Sequence, residues 1–309
     1  MKRFVKSLRL ICVTFALATL VIQVGAHPVR LLVIGNSFSE NATRYLPDLA
    51  KSGGHELVIA RAQKGGCSLE QHWRALAAAL VNAQDSRGKI YKGKSLLDFM
   101  RGTNWDMITI QQYSWLSGDP ATYSPFAANL VRELKKLQPN AEVVIHETWP
   151  YRSDAKKFGL IGLKINAQNQ KEMWEALHRN YWNLANQLHA PIIPTGDAFW
   201  RVDSDPQWGF KSITNFDAKL ARPPMVPDQN TSLNLGYYWK NKTIVFDSHH
   251  ANTAGQYLGA LVWYGFLFKE SPENLAFVPK GIKPDFAAYL RKVAWEVVSE
   301  EQTNNPPIN

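Results

Sequence analysis

Short apolar runs that alternate with helical patterns constrain the fold of this 309-residue chain more than any other feature. The first run covers residues 29–34 and ends at Gly35. Similar runs follow at residues 56–61, 106–111, 142–145 and 190–193. Apolar segments of this length are typical of buried parallel strands. With helical patterns between them, they predict a three-layer α/β/α sandwich around a central, mostly parallel five-stranded sheet.

Two stretches interrupt this alternation. Residues 86–102 are polar and rich in lysine, and residues 203–243 are rich in proline and asparagine with little periodicity. Neither stretch has a pattern from which a second hydrophobic core could be built. We therefore predict a single domain over residues 27–309, with these two stretches as loop insertions.

The first 26 residues have the three-part pattern of a secretory signal peptide. Their basic residues are Lys2, Arg3, Lys6 and Arg9. The apolar run at residues 10–24 is shorter than the roughly 20 residues that span a bilayer, and small residues follow it before His27. We predict that residues 1–26 direct the protein to a secreted or periplasmic location, with no stable membrane insertion after their removal. An uncleaved N-terminal anchor is the alternative.

The charge pattern argues against a nucleic-acid partner. The chain has 35 Lys and Arg against 26 Asp and Glu, a formal net charge of +9, and part of this excess lies in the predicted signal peptide. No run of five or more basic residues occurs in the sequence. A nucleic-acid-binding domain normally concentrates its basic residues on one face or in one run, so we expect no nucleic-acid partner.

Ser37 is the first candidate for chemistry, because it follows the first predicted strand and precedes a helix. In an open α/β sheet, ligands bind beyond the carboxyl ends of the strands. A serine at a helix N-terminus can act as a nucleophile while its own amide faces the resulting oxyanion. The structural alternative is that Ser37 or Ser39 only caps the helix.

A second candidate lies near the other end of the chain, in Asp247-Ser248-His249-His250. A serine nucleophile needs a base, and the base needs an acceptor that fixes its tautomer. Asp247 can reach the ring of His250 across one turn. The alternatives are a surface turn with solvated histidines and a metal site at His249 and His250.

Two further features supply candidate hydrogen-bond donors for an oxyanion. Gly65 and Gly66 follow the second predicted strand, and a glycine allows a backbone N–H to approach a ligand closely. Gln111 and Gln112 end the third predicted strand, where a side-chain amide can donate. Ordinary turn geometry and polar satisfaction at a strand end are the structural alternatives.

In this order, the four features resemble the blocks of the SGNH (GDSL-like) hydrolase superfamily. Gly35-Asn36-Ser37 resembles its Gly-Asp-Ser block, and Asp247 with His250 matches its D-x-x-H block. The resemblance implies a flavodoxin-like SGNH fold and a Ser37–Asp247–His250 triad that hydrolyses a carboxylic ester through an acyl-enzyme. It also implies an oxyanion hole from Ser37, Gly66 and Gln112, with no metal or organic cofactor.

The sequence departs from the family pattern at two points. Asn36 replaces the usual Asp, and Gln111-Gln112 stands where the family has G-x-N-D. These departures indicate a divergent branch. They also keep a rival open, a non-catalytic ligand- or glycan-binding protein on the same fold. The motifs are further compatible with an O-acyltransferase that uses the same triad and with a metal-dependent hydrolase.

Several polar and aromatic residues follow the predicted strands and are candidates for binding substrate. They are Asn36, Gln111, Trp115, His146 and Trp149. Aromatic rings suit stacking on sugars, and extracytoplasmic SGNH relatives are often carbohydrate O-acetylesterases. We therefore expect a small-molecule or glycan ester as substrate, with a short acyl group on a carbohydrate favoured. Core packing is the alternative for each tryptophan.

Overall fold

The computed structural model describes residues 27–212 and 215–304, with side chains through residue 301. The predicted signal peptide, residues 1–26, lies outside these residues, and its cleavage stays a prediction. Among the helices of the described part, none is both long enough and apolar enough to cross a bilayer.

The elements alternate along the chain as the apolar runs predicted. In chain order they are β1 (Val29–Gly35), α1 (Ser37–Ala42), α2 (Leu46–Ser52), β2 (Leu57–Gln63), α3 (Leu69–Val81), α4 (Leu96–Met100), β3 (Met107–Ile110), α5 (Phe126–Leu137), β4 (Glu142–His146), β5 (Leu160–Gly162), β6 (Ile165–Asn166), α6 (Gln170–Leu188), β7 (Ile192–Ile193), α7 (Thr195–Asp203), β8 (Asn234–Lys240), β9 (Thr243–Ala251), α8 (Thr253–Phe268) and α9 (Pro284–Asn304). Short 3-10 turns connect some of them.

The central sheet has five strands in the order β2-β1-β3-β4-β7, and every pair in it is parallel. This is the flavodoxin-like order, and the predicted α/β sandwich is confirmed. The strand order reverses at β1. Because crossovers are right-handed, the reversal places α1 and α2 on one face and α3 and α5 on the other. Ser37 therefore follows β1 at the point of strand reversal, which is where open α/β sheets bind their ligands.

The core consists of the central strands and the helices against them. Leu31, Leu32, Val33 and Ile34 of β1 are fully buried, as a strand covered on both faces requires. On one face α3 packs against α5, and on the other α8 packs against α1, α2, α7 and α9.

The helical pattern between β1 and β2 folds as two helices. α1 ends at Ala42, where the Thr43 hydroxyl donates to the Ser39 carbonyl at 2.7 Å. Arg61 then donates to the Thr43 carbonyl at 3.0 Å. Pro47 lies in the first turn of α2, the one part of a helix that tolerates proline, so a new helix starts there.

The two predicted insertions contain regular structure that the sequence reading missed. Residues 86–102 include α4, whose Leu96 is fully buried in the core. Residues 203–243 include β8, which pairs with β9 as an antiparallel hairpin outside the main sheet. The hairpin turn contains Asn241 at φ 56°, a left-handed conformation that asparagine tolerates. β9 carries Asp247 and His250, so this hairpin positions half of the candidate site.

Close packing between α8 and α1 yields a stability prediction. A Cβ at Gly259 would lie 2.9 Å from Ala42 Cα, whereas a Cβ at Gly265 of the same helix would come no closer than 3.5 Å to any atom. We expect Gly259→Ala to lower the free energy of unfolding by about 1–3 kcal/mol, because the helices must move apart. Gly265→Ala is the matched control and should raise it by about 0.5–1 kcal/mol through helix propensity. Urea unfolding measures both. Equal effects of the two substitutions would contradict this packing.

Candidate active site

Asn36 holds the loop that presents Ser37 at the end of β1. Its side-chain oxygen accepts from the Phe38 amide at 3.0 Å and from Gln111 Nε2 at 2.8 Å. Its Nδ2 donates to the Cys67 carbonyl at 3.0 Å. Asn36 is therefore the N-cap of α1 and also ties this loop to the turn at residues 64–67. Ser37 is the first residue of the helix and remains half-buried.

The hairpin brings His250 to Ser37. His250 Nε2 lies 2.9 Å from Ser37 Oγ, and His250 Nδ1 lies 2.7 Å from Asp247 Oδ2. The backbone amides of His249 and His250 also donate to Asp247 Oδ1, at 3.1 and 3.0 Å. Burial alone would raise the pKa of Asp247, but these hydrogen bonds outweigh burial and hold the pKa well below its usual value. A charged Asp247 fixes the Nδ1–H tautomer of His250, which leaves Nε2 free to accept the serine proton.

His249 occupies a different place from its neighbour. Its Nδ1 lies 3.1 Å from Asp247 Oδ1, and its ring packs beside Tyr151 at 5.4 Å between centroids. Burial lowers the pKa of His249. His250 contacts the Ser37 hydroxyl, whereas the polar partner of the His249 ring is the carboxylate of Asp247, so the geometry favours His250 as the base.

Three hydrogen bonds join the His249 end of the hairpin to the segment after β4 and to α1. Trp149 Nε1 donates to the His249 carbonyl at 2.9 Å. The Arg152 amide donates to the Ser248 carbonyl at 2.8 Å, and the Ala251 amide donates to Asn41 Oδ1 at 3.0 Å. Because Asn41 is on α1 itself, α1 and β9 share a direct link.

Arg152 is a positioning residue that the sequence reading missed. Its side chain is fully buried, and its guanidinium makes a bidentate ion pair with Asp154 at 2.7 and 2.8 Å. It also donates to Gln229 Oε1 at 3.0 Å and lies 4.2 Å from the centroid of the Phe210 ring. A Cβ at Gly236 of β8 would clash with this guanidinium. No sequence motif marks Arg152, since its partners other than Asp154 come from distant segments.

The backbone places two candidate oxyanion donors near Ser37. The Ser37 N–H has no acceptor inside its helix, because it belongs to the first turn. Gly66 has a φ of 63° and is exposed, and the nearest atom to a Cβ there would be Tyr113 Cε2 at 4.0 Å. The turn that contains Gly66 is bound to the nucleophile loop through Lys64 N to Gly35 O at 3.1 Å and through the bond from Asn36 to Cys67. Of Gly65 and Gly66, only Gly66 has a left-handed backbone conformation.

The structure contradicts the prediction that Gln112 donates to the oxyanion. Its Nε2 donates to the carbonyl and hydroxyl oxygens of Thr122, at 2.9 and 3.1 Å. Its Oε1 accepts from the amides of Leu69 and Tyr113. A fully buried amide with all of these partners has no hydrogen left for a substrate.

Most of the predicted substrate-binding residues belong to the interior. Asn36, Gln111, His146 and Trp149 are each at most 1% exposed. Gln111 joins Asn36 to His146, whose Nδ1 lies 3.2 Å from Gln111 Oε1. The prediction of substrate contact is therefore wrong for these four residues, which instead support the nucleophile loop and the hairpin. Trp115 alone is partly exposed, and it packs beside Tyr151 at 6.4 Å between centroids.

The three bonds of Asn36 yield a prediction about the family's usual residue. Asn36→Asp would turn the Nδ2 donor into an oxygen that faces the Cys67 carbonyl in a buried site. We expect a loss of about 1–3 kcal/mol in unfolding free energy. Asn82→Asp, at an exposed asparagine whose Oδ1 accepts from Gln84, is the matched control and should cost less than 0.5 kcal/mol, roughly the effect of an ordinary surface substitution. Thermal unfolding of both variants measures the difference. An Asn36→Asp protein as stable as the wild type would show that the hydrogen bond from Asn36 Nδ2 to the Cys67 carbonyl contributes nothing to stability.

A search among solved structures finds the same fold in a DUF4886 family protein from Bacteroides uniformis. The two chains share 23% sequence identity at a TM-score of 0.67, with 88% of this chain and 95% of the other covered. At this identity the comparison establishes the shared fold.

More distant structural neighbours bear names from the predicted superfamily. A member of the lipolytic G-D-S-L family from Veillonella parvula shares 11% identity over 78% of this chain and 100% of its own, at a TM-score of 0.42. The psychrotrophic esterase EstA from a Pseudoalteromonas species shares 12% identity over 57% of this chain and 81% of its own, at a TM-score of 0.35. No curated protein matches the sequence.

One family model matches the chain. It is described as a domain of unknown function, DUF4886, and it matches residues 30–204, which include the nucleophile loop and end before the hairpin. The matched segment is more than half of the 309 residues. The chain therefore belongs to the DUF4886 family.

Proposed function

We propose that the protein is a serine esterase that uses Ser37 as its nucleophile. The observation that carries the proposal is the continuous chain of contacts from Asp247 through His250 to the Ser37 hydroxyl, at 2.7 and 2.9 Å. A serine hydroxyl is a weak nucleophile until a base takes its proton, and this arrangement provides the base and the group that orients it.

The reaction has two halves. In the first, Ser37 Oγ attacks the ester carbonyl, and its proton moves to His250 Nε2. The imidazolium then gives this proton to the leaving alcohol as the acyl-enzyme forms. In the second half, His250 Nε2 takes a proton from a water as the water oxygen attacks the acyl carbonyl. The bond from the carbonyl carbon to Ser37 Oγ then breaks, His250 returns the proton to Ser37 Oγ, and the acid leaves. Asp247 stays ionised throughout and stabilises the imidazolium, while the amides of Ser37 and Gly66 face the oxyanion.

The substrate class proposed here is a short acyl ester of a carbohydrate. Gly66 leaves the oxyanion side without a side chain, so an acyl group can lie against the backbone. Trp115 is a partly exposed ring that is linked to His250 by successive ring contacts through Tyr151 and His249. This row of rings supports a sugar on the alcohol side of the ester. With Trp149 buried, the proposal for a sugar depends on Trp115.

Hydrolysis of p-nitrophenyl acetate tests the esterase proposal. We expect Ser37→Ala and His250→Ala to reduce kcat by a factor on the order of 10⁴ or more, because the two residues act as one unit. His249→Ala is the matched control, since it removes a neighbouring imidazole that contacts the same carboxylate but not the serine. It should reduce kcat far less.

The rival predictions differ in this assay. A binding protein on the same fold predicts equal, background-level turnover in the wild type and in Ser37→Ala. An acyltransferase predicts that acyl transfer to added sugar exceeds hydrolysis. If His249→Ala lost as much activity as His250→Ala, the proposed assignment of the base would be wrong.

The carbohydrate proposal makes a separate prediction. Trp115→Ala should raise KM for an acetylated oligosaccharide about fivefold, the equivalent of roughly 1 kcal/mol of aromatic contact, and leave kcat for p-nitrophenyl acetate nearly unchanged. Trp208→Ala, which removes a ring packed on Phe286 rather than near Tyr151, is the control for the loss of a tryptophan. An unchanged KM in Trp115→Ala would exclude sugar stacking at this position.

A further inference from the structure

A second cluster of ionisable side chains lies outside the candidate active site. Glu147 follows β4 directly, His178 is on α6, and Asp197 is in the first turn of α7. One donor atom from each of these three residues lies within 4.8 Å of the others. The proposed esterase mechanism uses none of them.

Glu147 is the unusual member of this cluster, because its carboxylate is fully buried. Its Oε2 accepts from the Asp197 amide at 2.9 Å. Its Oε1 is buried without a hydrogen-bond partner and points toward His178 Nδ1, at 3.5 Å. A buried oxygen without a partner beside a second carboxylate is a site that favours a cation.

A proton on His178 Nδ1 can form a good hydrogen bond with only one of the two carboxylates. His178 Nδ1 lies near both carboxylates, 2.8 Å from Asp197 Oδ1 and 3.5 Å from Glu147 Oε1. The Nδ1–H then donates to Asp197 Oδ1 at 2.8 Å. The 3.5 Å to Glu147 Oε1 is too long for a good hydrogen bond. One proton therefore satisfies Asp197 and leaves Glu147 Oε1 without a close partner.

The cluster also opens onto a cavity. His178 and Asp197 line a cavity of about 470 Å³, together with Trp174, Trp182 and Trp200. Trp174 Nε1 donates to Asp197 Oδ1 at 2.8 Å and so fixes the orientation of this carboxylate. Carboxylates that bind metals are commonly held by such outer hydrogen bonds. An ion at the cluster would have access from solvent, since the His178 side chain is 37% exposed.

We propose that Glu147, His178 and Asp197 bind one Zn²⁺ ion. Zinc takes imidazole nitrogen and carboxylate oxygen together at about 2.0–2.2 Å, which puts neighbouring donors of a tetrahedral site roughly 3.3 Å apart. The distances from His178 Nδ1 to the two carboxylates, 2.8 and 3.5 Å, bracket this spacing. An imidazole ligand disfavours Mg²⁺ and Ca²⁺, which prefer oxygen donors alone. Three protein ligands leave the fourth position for a water on the cavity side.

The proposed zinc site and the candidate active site are distinct. The rings of Phe38, Trp149 and Phe199 lie between them. Trp149 stacks on Phe38 of α1 at 4.2 Å and on Phe199 of α7 at 4.4 Å between centroids. The two sites share no residue. A separate group of donors, Asp247, His249 and His250, lies within the active site. A test of the proposal must therefore tell the two groups apart.

Calorimetric titration of the chelator-treated protein with ZnCl₂ tests the proposal. We expect the wild type to bind one Zn²⁺ at this site, and saturating zinc to raise the melting temperature by about 5 °C. His178→Ala and Glu147→Gln should each weaken this binding by a factor on the order of 100 or more. Glu300→Gln is the matched control, because Glu300 lines the same cavity but pairs with Arg201. It should bind zinc like the wild type, as should His249→Ala.

The outcomes are decisive in either direction. Loss of zinc binding in His178→Ala with retention in His249→Ala supports the proposal. If His178→Ala fails to fold, Glu147→Gln gives the same comparison with a side chain of equal size. Absence of saturable binding in the wild type would overturn the proposal, and so would binding that disappears only in His249→Ala. Esterase activity is not the readout, so failure here leaves the esterase proposal standing.

Discussion

A hydrogen bond in which the Ser37 hydroxyl donates to the His250 imidazole joins residues 213 positions apart, and the rest of the chain must hold these two side chains together. Neither partner belongs to a rigid element by itself, since α1 has six residues and β9 lies outside the main sheet. The contact depends on bonds that fasten each side to the ends of β1 and β4. Asn36 does so for the serine, and Trp149 and Arg152 do so for the hairpin.

The need to hold Ser37 and the hairpin in place explains why so many polar side chains are buried near the site. Gln111 bridges Asn36 and His146, and Gln112 joins the start of α3 to Thr122. A buried polar group is stable only when its hydrogen bonds are made, so each of these side chains fixes the relative position of two segments. Hydrogen bonds of the Asn36, Gln111 and Gln112 amides and of the His146 imidazole therefore hold the site in place, in addition to apolar packing.

The sheet could be predicted from the sequence, and so could Ser37, Asp247 and His250, which form one chain of contacts. The buried side chains that hold these three residues in place could not. β1 and β4 appear as apolar runs because both faces of a parallel strand are buried. The β8–β9 hairpin was missed because proline and asparagine dominate the stretch before it, although Asn241-Lys242 between two strand-like runs was a usable hairpin signal. Burial of Trp149 and the bonds of Gln112 depend on distant segments, which no local pattern encodes.

Labelling with a fluorophosphonate probe, followed by peptide mapping, tests the central claim most directly. The probe phosphonylates an activated serine with loss of fluoride, so it reports the nucleophile and its base without any assumption about substrate. The account predicts a single adduct on Ser37 in the wild type and none in His250→Ala. An adduct on another serine, such as Ser39 or Ser248, or equal labelling of Ser37 without His250, would contradict it.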